Sequence, residues 1–156
     1  MNRDDGLEGK VAVISGGGSG IGRALAVAYA RAGAHSVGGY LPSDPHDATD
    51  TVRAVEAAGG RCTAVPMDVR SFEDTERLAQ TALDEYDRLD ISVAAAGILR
   101  RAPLAEMTDQ AWDDMMAVDL SGVLRVFRSC STRMAQGGAM VATSSIAGGV
   151  YGWEEH

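Results

Sequence analysis

The stretch Val11-Ala12-Val13-Ile14-Ser15-Gly16-Gly17-Gly18-Ser19-Gly20-Ile21-Gly22 constrains this chain more than any other. An apolar run ends in a glycine-rich turn. A helical pattern, Arg23-Ala24-Leu25-Ala26-Val27-Ala28-Tyr29-Ala30, begins at once. Strand, glycine turn and helix in that order make a phosphate-binding corner. The first N–H groups of a helix lack partners and carry the positive end of its dipole, so they favour a pyrophosphate. Glycine lets the chain turn sharply and lets an anion approach the backbone without meeting a Cβ. The corner therefore implies a dinucleotide site without revealing a reaction. A glycine-rich loop with no ligand is the plain alternative.

Downstream, strand and helix patterns alternate with short turns, which implies an α/β fold: a doubly wound parallel sheet with helices on both faces. The first strand is expected at 11–15 and the first helix at 20–32, closed by Gly33. A second strand runs from Ser36 to Tyr40. Asp44 then reads as an N-cap with Pro45 at the first helical position, and that helix ends at Gly59-Gly60. Cys62 to Met67 reads as the third strand. Ser71 caps a helix to about Tyr86, and Asp90 to Ala94 reads as the fourth strand. From Thr108 to about Met134 the pattern predicts one long helix with apolar residues on more than one face, buried on the sheet and on something else. Gly122 in its middle permits close approach of a neighbour. Gly138 to Thr143 reads as a fifth strand. Residues 1–156 read as a single domain with no repeat and no linker.

A formal net charge of −8 disfavours nucleic acid and anionic membrane surfaces as partners. Met1-Asn2-Arg3-Asp4-Asp5-Gly6 is polar and acidic and does not read as a signal peptide, and no apolar run is long enough to span a bilayer. Cys62 and Cys130 have no metal or redox spacing, so no metal site is expected. Reduced, half-buried thiols and a cytoplasmic setting fit this pattern.

The spacing Gly16-x-x-x-Gly20-x-Gly22 departs from the common G-x-G-x-x-G, because Ile21 stands where the third glycine would fall. It resembles the Thr-Gly-x-x-x-Gly-Ile-Gly motif of the short-chain dehydrogenase/reductase family, with Ser15 in the threonine's place. The resemblance holds in order along nearly the whole chain, as the NAD(P)-binding Rossmann-like part of such a protein. It implies cofactor contacts from Gly16, Ser19, Gly20, Ile21, Gly22 and Tyr40. Asp68-Val69 matches the family's Asp-Val, whose aspartate meets the adenine ring; a simple strand-end turn is the alternative. Ala94-Ala95-Ala96-Gly97 matches Asn-Asn-Ala-Gly. Both asparagines are alanine here, so the side-chain bonds that brace that turn are expected to be missing, while Ala95, Ala96 and Gly97 still let a ribose approach.

Val118-Asp119-Leu120-Ser121-Gly122 matches Val-Asn-Leu-x-Gly. The resemblance implies that the main-chain carbonyl of Asp119 holds a water in a proton relay at a local break in the helix; a salt bridge or cap is the alternative. Thr143-Ser144-Ser145 matches the family's Ser-Ser, and Ser145 aligns with the serine that binds the substrate carbonyl oxygen. The family's Tyr-x-x-x-Lys has no counterpart. Lys10 is the only lysine, and Tyr151 is followed by Glu155. On this reading the chain is C-terminally truncated, the motif falls beyond His156, and the chain alone is inactive. The flank of the fifth strand and long helix would then be apolar and sticky.

The intact protein is expected to move a hydride between NAD(P) and a small carbonyl or alcohol substrate, as a homo-dimer or tetramer. Tyr40 stands where an NAD-selecting acidic residue would, and Arg23 either reaches a 2′-phosphate or, the favoured reading, is solvated. Ser19 lacks the positive charge that NADP-preferring relatives often carry there, and the balance leans to NADP. Arg100-Arg101 could favour an anionic substrate or form a solvated loop. A non-catalytic dinucleotide-binding module or sensor is the alternative, and a methyltransferase of similar fold is disfavoured by Tyr40.

Overall fold

The computed structural model describes residues 6–145. Five parallel strands, β1 (Val11–Ser15), β2 (His35–Tyr40), β3 (Cys62–Pro66), β4 (Ile91–Ala94) and β5 (Ala139–Ala142), lie in the order β3-β2-β1-β4-β5. Five helices accompany them: α1 (Gly20–Arg31), α2 (Ala48–Ala57), α3 (Phe72–Tyr86), α4 (Asp109–Met115) and α5 (Ser121–Ser131).

β1 is the central strand and is buried along its whole length, which is why its sequence is an unbroken apolar run rather than an alternation. Its pleat divides the core. Val11 and Val13 face one cluster, with Leu78 of α3 and Val126 and Cys130 of α5. Ala12 and Ile14 face the other, with Ala26 and Ala30 of α1 and Val55 of α2. Alternate residues of a strand point to opposite faces, so each face has its own helical cover. This is the doubly wound arrangement expected from the sequence. Among the described residues no helix is long and apolar enough to cross a membrane.

Three local readings change. The α2 N-cap is Asp47, whose carboxylate accepts from the Thr49 N–H at 2.8 Å. Asp44 accepts from the His46 N–H at 2.9 Å instead, so Pro45 lies in the loop rather than at a helix start. The long helix of 108–134 is three pieces: α4, a π-helical segment at Met116–Leu120, and α5, which ends at Ser131. The widened turn shifts the register, and the Ala117 carbonyl accepts from Arg125 at 3.3 Å. Gly122 follows two residues on, where a Cβ would come within 2.8 Å of the Val69 side chain. Cys62 is half-buried as expected, but Cys130 is only 1% exposed; both are free thiols, and burial raises both pKa values.

At the amino edge of the sheet, Asp90 is 4% exposed. Burial alone would raise its pKa. Bonds from Arg88 at 2.7 and 2.8 Å, the Val11 N–H at 2.9 Å and Lys10 at 3.2 Å outweigh that and bring it to about 2. A depressed carboxylate pKa adds stability that is complete above the unfolded value near 3.8 and is lost as the pH falls toward about 2. The difference corresponds to about 2 kcal/mol. Urea unfolding of Asp90→Asn should show a loss of about that size at pH 7, and the gap from wild type should narrow between about pH 4 and pH 2. An equal gap at both pH values would show that the ionised carboxylate is not what holds this edge.

Candidate cofactor cleft

At the carboxyl ends of β1 and β4 the chain leaves the sheet toward opposite faces: α1 follows β1 on one side, and α5 packs beyond β4 on the other. Such a divergence opens a crevice, the usual ligand position in a doubly wound sheet. Here it is a cleft of about 340 Å³. Gly16, Ser19, Gly20, Ile21, Gly22, Tyr40, Asp68, Val69, Ala95, Ala96 and Gly97 all line it. Thus residues spread over some eighty positions of sequence share one wall system.

The β1–α1 corner is packed backbone against backbone. A Cβ at Gly22 would run into the Gly16 carbonyl oxygen, and one at Gly16 would lie 2.8 Å from the Ala96 nitrogen. Gly20 differs. Its φ is +51°, and a Cβ there would meet nothing within 4 Å, so the space beside it is open. The Arg23 N–H bonds back to the Ser19 carbonyl at 3.0 Å. Among the described residues nothing accepts from the N–H groups of Gly20, Ile21 and Gly22, and the Ser19 side chain makes no capping bond. Unpaired donors, an uncapped hydroxyl and open space at a helix N-terminus fit a bound pyrophosphate.

The turn is clamped from behind. Arg23 Nη2 donates to the Gly18 carbonyl at 2.9 Å, and Arg23 Nε donates to Thr51 Oγ1 at 2.9 Å. The Thr51 hydroxyl donates to the same Gly18 carbonyl at 2.9 Å, from a side chain buried on α2. Arg23 is therefore part of the corner's scaffold and not a cation held out for a 2′-phosphate. Its role was hidden because Thr51 is 28 residues away.

The turn after β4 is also braced, though its asparagines are alanine. Ser15 Oγ, on buried β1, accepts from the N–H groups of Ala95 at 3.2 Å and Ala96 at 3.4 Å. Asp119 Oδ1, on the π-helical segment, accepts from the Ile98 N–H at 2.9 Å. The expectation of a turn without side-chain braces is corrected: the bonds come from β1 and from the helix break. Asp119 thus sits at the expected break, and its carboxylate serves as a cap. It does not itself line the cleft, and neither does Ser145, which is exposed three residues beyond β5. Tyr151 lies outside the described residues.

Asp68 is both a turn residue and a wall of the cleft. Arg70 binds its carboxylate through Nε and Nη2 at 2.6 to 3.0 Å, and the Arg70 N–H reaches Oδ1 at 2.9 Å. The hydrogen-bonding Arg70 side chain holds the Asp68 pKa below its ordinary value. Sequence reasoning did not place Asp44, His46, Met67 and Ile98 in the site, yet they also line the cleft, as does Arg100, one of the pair weighed for an anionic substrate. For Asp44 a signal existed: it lies 24 residues past Gly20, close to where a ribose-binding acid is expected in such folds.

The architecture and the corner define a class, the α/β proteins that cradle a dinucleotide at a sheet switch point. Within that class the chain belongs to the short chain dehydrogenase family, whose pattern it matches over residues 10–155. An NAD-dependent oxidoreductase of Mycobacterium tuberculosis is 36% identical over 94% of this chain and 58% of its own length. Elsinochrome reductase 1 of Elsinoe fawcettii is 33% identical over 96% and 56%. A Sinorhizobium meliloti dehydrogenase/reductase superposes with a TM-score of 0.88 at 34% identity, covering 94% of this chain and 57% of that one. Carveol dehydrogenase of Mycobacterium avium, solved with NAD, gives 0.83 at 32%, covering 90% and 56%. The chain spans a little under three fifths of the length of these relatives.

Replacing Thr51 with Val removes the clamp's hydroxyl while keeping its volume. Urea unfolding should show a loss of about 1–3 kcal/mol, because the Gly18 carbonyl and Arg23 Nε each lose a partner in a partly buried place. An unchanged midpoint would show that the clamp contributes nothing to the corner.

Proposed function

We propose that this chain carries the NAD-binding portion of a short-chain oxidoreductase that moves a hydride between a nicotinamide and a carbonyl or alcohol carbon. The observation that carries the reading is the α1 N-terminus, where three N–H groups have no acceptor among the described residues and the space beside Gly20 is open. Gly16, Ser19, Gly20, Ile21 and Gly22 would hold the pyrophosphate. Tyr40, Asp68 and Val69 would flank the adenosine, and Ala95, Ala96 and Gly97 would pass close to the second ribose. Bound there, the nicotinamide supplies a hydride donor or acceptor. NAD rather than NADP is supported by the engagement of Arg23 and by the relatives named for or solved with NAD.

The remaining roles follow the family's motifs. Ser145 would hydrogen-bond the substrate carbonyl oxygen and stabilise charge building on it. Asp119 would keep the break in the long helix and the β4 turn in register. No tyrosine–lysine pair of the family's spacing occurs in the sequence, and Lys10 is bound to Asp90 at the opposite edge of the sheet. The 156-residue chain is accordingly proposed to bind cofactor without turning over alcohols. A cytoplasmic setting and a homo-oligomer of the intact protein belong to the same reading; the oligomer is supported by the exposed Trp112, Leu120 and Leu124 along α4, the π-helical segment and α5.

Titration of the chain with NADH, followed by nicotinamide fluorescence, should show saturable binding. Gly20→Val should weaken it at least tenfold, since a β-branched residue resists a φ of +51° and fills the open space. Absence of binding by the folded wild-type chain would overturn the reading.

A further inference from the structure

The adenosine end of the cleft poses a question that Tyr40 does not answer. An NAD-selecting fold places an acidic side chain where it accepts a bond from the ribose 2′-hydroxyl and repels a 2′-phosphate. β2 ends in Tyr40, which carries no charge. The loop after it folds back: the Asp44 N–H bonds the Leu41 carbonyl at 2.9 Å. That turn brings Asp44 to the cleft wall together with Tyr40 and Gly18 of the phosphate corner.

Resting on the NAD reading above, we infer that Asp44 is the residue that selects NAD over NADP, receiving the adenosine ribose hydroxyls from the β2–α2 loop rather than from the end of β2. Three observations converge on it. First, the carboxylate is held in place: Oδ1 accepts from the His46 N–H at 2.9 Å and contacts His46 Nδ1 at 2.6 Å. Second, all of those contacts use Oδ1, which leaves Oδ2 with lone pairs for a ligand hydroxyl. Third, the two arginines flanking the glycine turn and Asp68 are committed elsewhere. Arg23 is tied to Gly18 and Thr51, and Arg70 to Asp68. A 2′-phosphate beside Asp44 would therefore meet a carboxylate, with Arg23 and Arg70 already engaged. The His46 N–H and side chain favour the ionised form of Asp44.

The test is the ratio of the NADH and NADPH dissociation constants, measured by isothermal titration on the 156-residue chain for wild type, Asp44→Asn, Asp44→Ala and Thr51→Val. Circular dichroism melting checks that each variant folds. Wild type should favour NADH. Asp44→Asn should lose about tenfold in NADH affinity, the worth of one charge-assisted bond, with no loss for NADPH. Asp44→Ala should move the ratio the same way. Thr51→Val acts on the pyrophosphate corner and should weaken both nucleotides equally. A merely structural role for Asp44 would give that same parallel loss. An unchanged ratio in both Asp44 variants, or a wild type that favours NADPH, overturns the inference and leaves the dinucleotide reading standing. A folded wild type that binds neither nucleotide overturns both.

Discussion

The contact on which this structure depends is the one between the Gly16 carbonyl and Gly22. With no side chain on either residue, the first turn of α1 sits directly on the end of β1. Any Cβ at residue 22 would drive the helix off the strand. That contact fixes the helix start over the carboxyl end of the sheet, and so decides where the unpaired N–H groups point. The same corner meets Ala96 beyond β4, so the ends of the two strands that bound the cleft lie backbone against backbone. Glycine is costly to order, and a chain keeps a dense cluster of it only where backbone must approach backbone or ligand.

The rest of the site is held by bonds that reach it from a distance. Ser15 ties the β4 turn to β1, Asp119 ties it to the helix break, and Arg23 with Thr51 ties the glycine turn to α2. The Ile98 N–H and the Gly18 carbonyl gain partners this way, and leaving such main-chain groups unpaired is expensive in a partly buried place. The break at Met116–Leu120 belongs to this set. A regular helix would not deliver the Asp119 carboxylate to the Ile98 N–H and keep Gly122 against Val69 in the same register.

Much of this was legible in the sequence because the signals are local. Apolar runs, the Gly16-x-x-x-Gly20-x-Gly22 spacing and the Ser71 cap each act within a few residues, and all five strands lie within about a residue of their expected places. What was not legible depends on partners far along the chain. Nothing near Arg23 says that it will find Thr51 instead of solvent, and nothing near Ala95 announces Ser15, 80 residues earlier. The α2 start was misplaced for a related reason. Asp44 and Asp47 are equally good caps by composition, and the choice fell to Asp47 once the Leu41 turn had drawn Asp44 to the cleft. The π-helical segment is announced only by the family resemblance at Asp119, because the apolar pattern runs through it without interruption.

The two edges of the sheet use acidic residues in opposite ways. At the amino edge, Asp90 is buried and surrounded by Arg88, Lys10 and a main-chain N–H, so its charge is consumed in holding strands together. At the carboxyl edge, Asp68 and Asp44 are only partly covered, with Arg70 and His46 as partners. Arg70 grips both oxygens of Asp68, while His46 engages Asp44 through Oδ1 alone. A carboxylate fully satisfied from one side contributes shape, and one satisfied through a single oxygen contributes recognition. That asymmetry is what the proposed reading uses, in which Asp68 would be a wall of the adenosine pocket and Asp44 the group that meets the ribose.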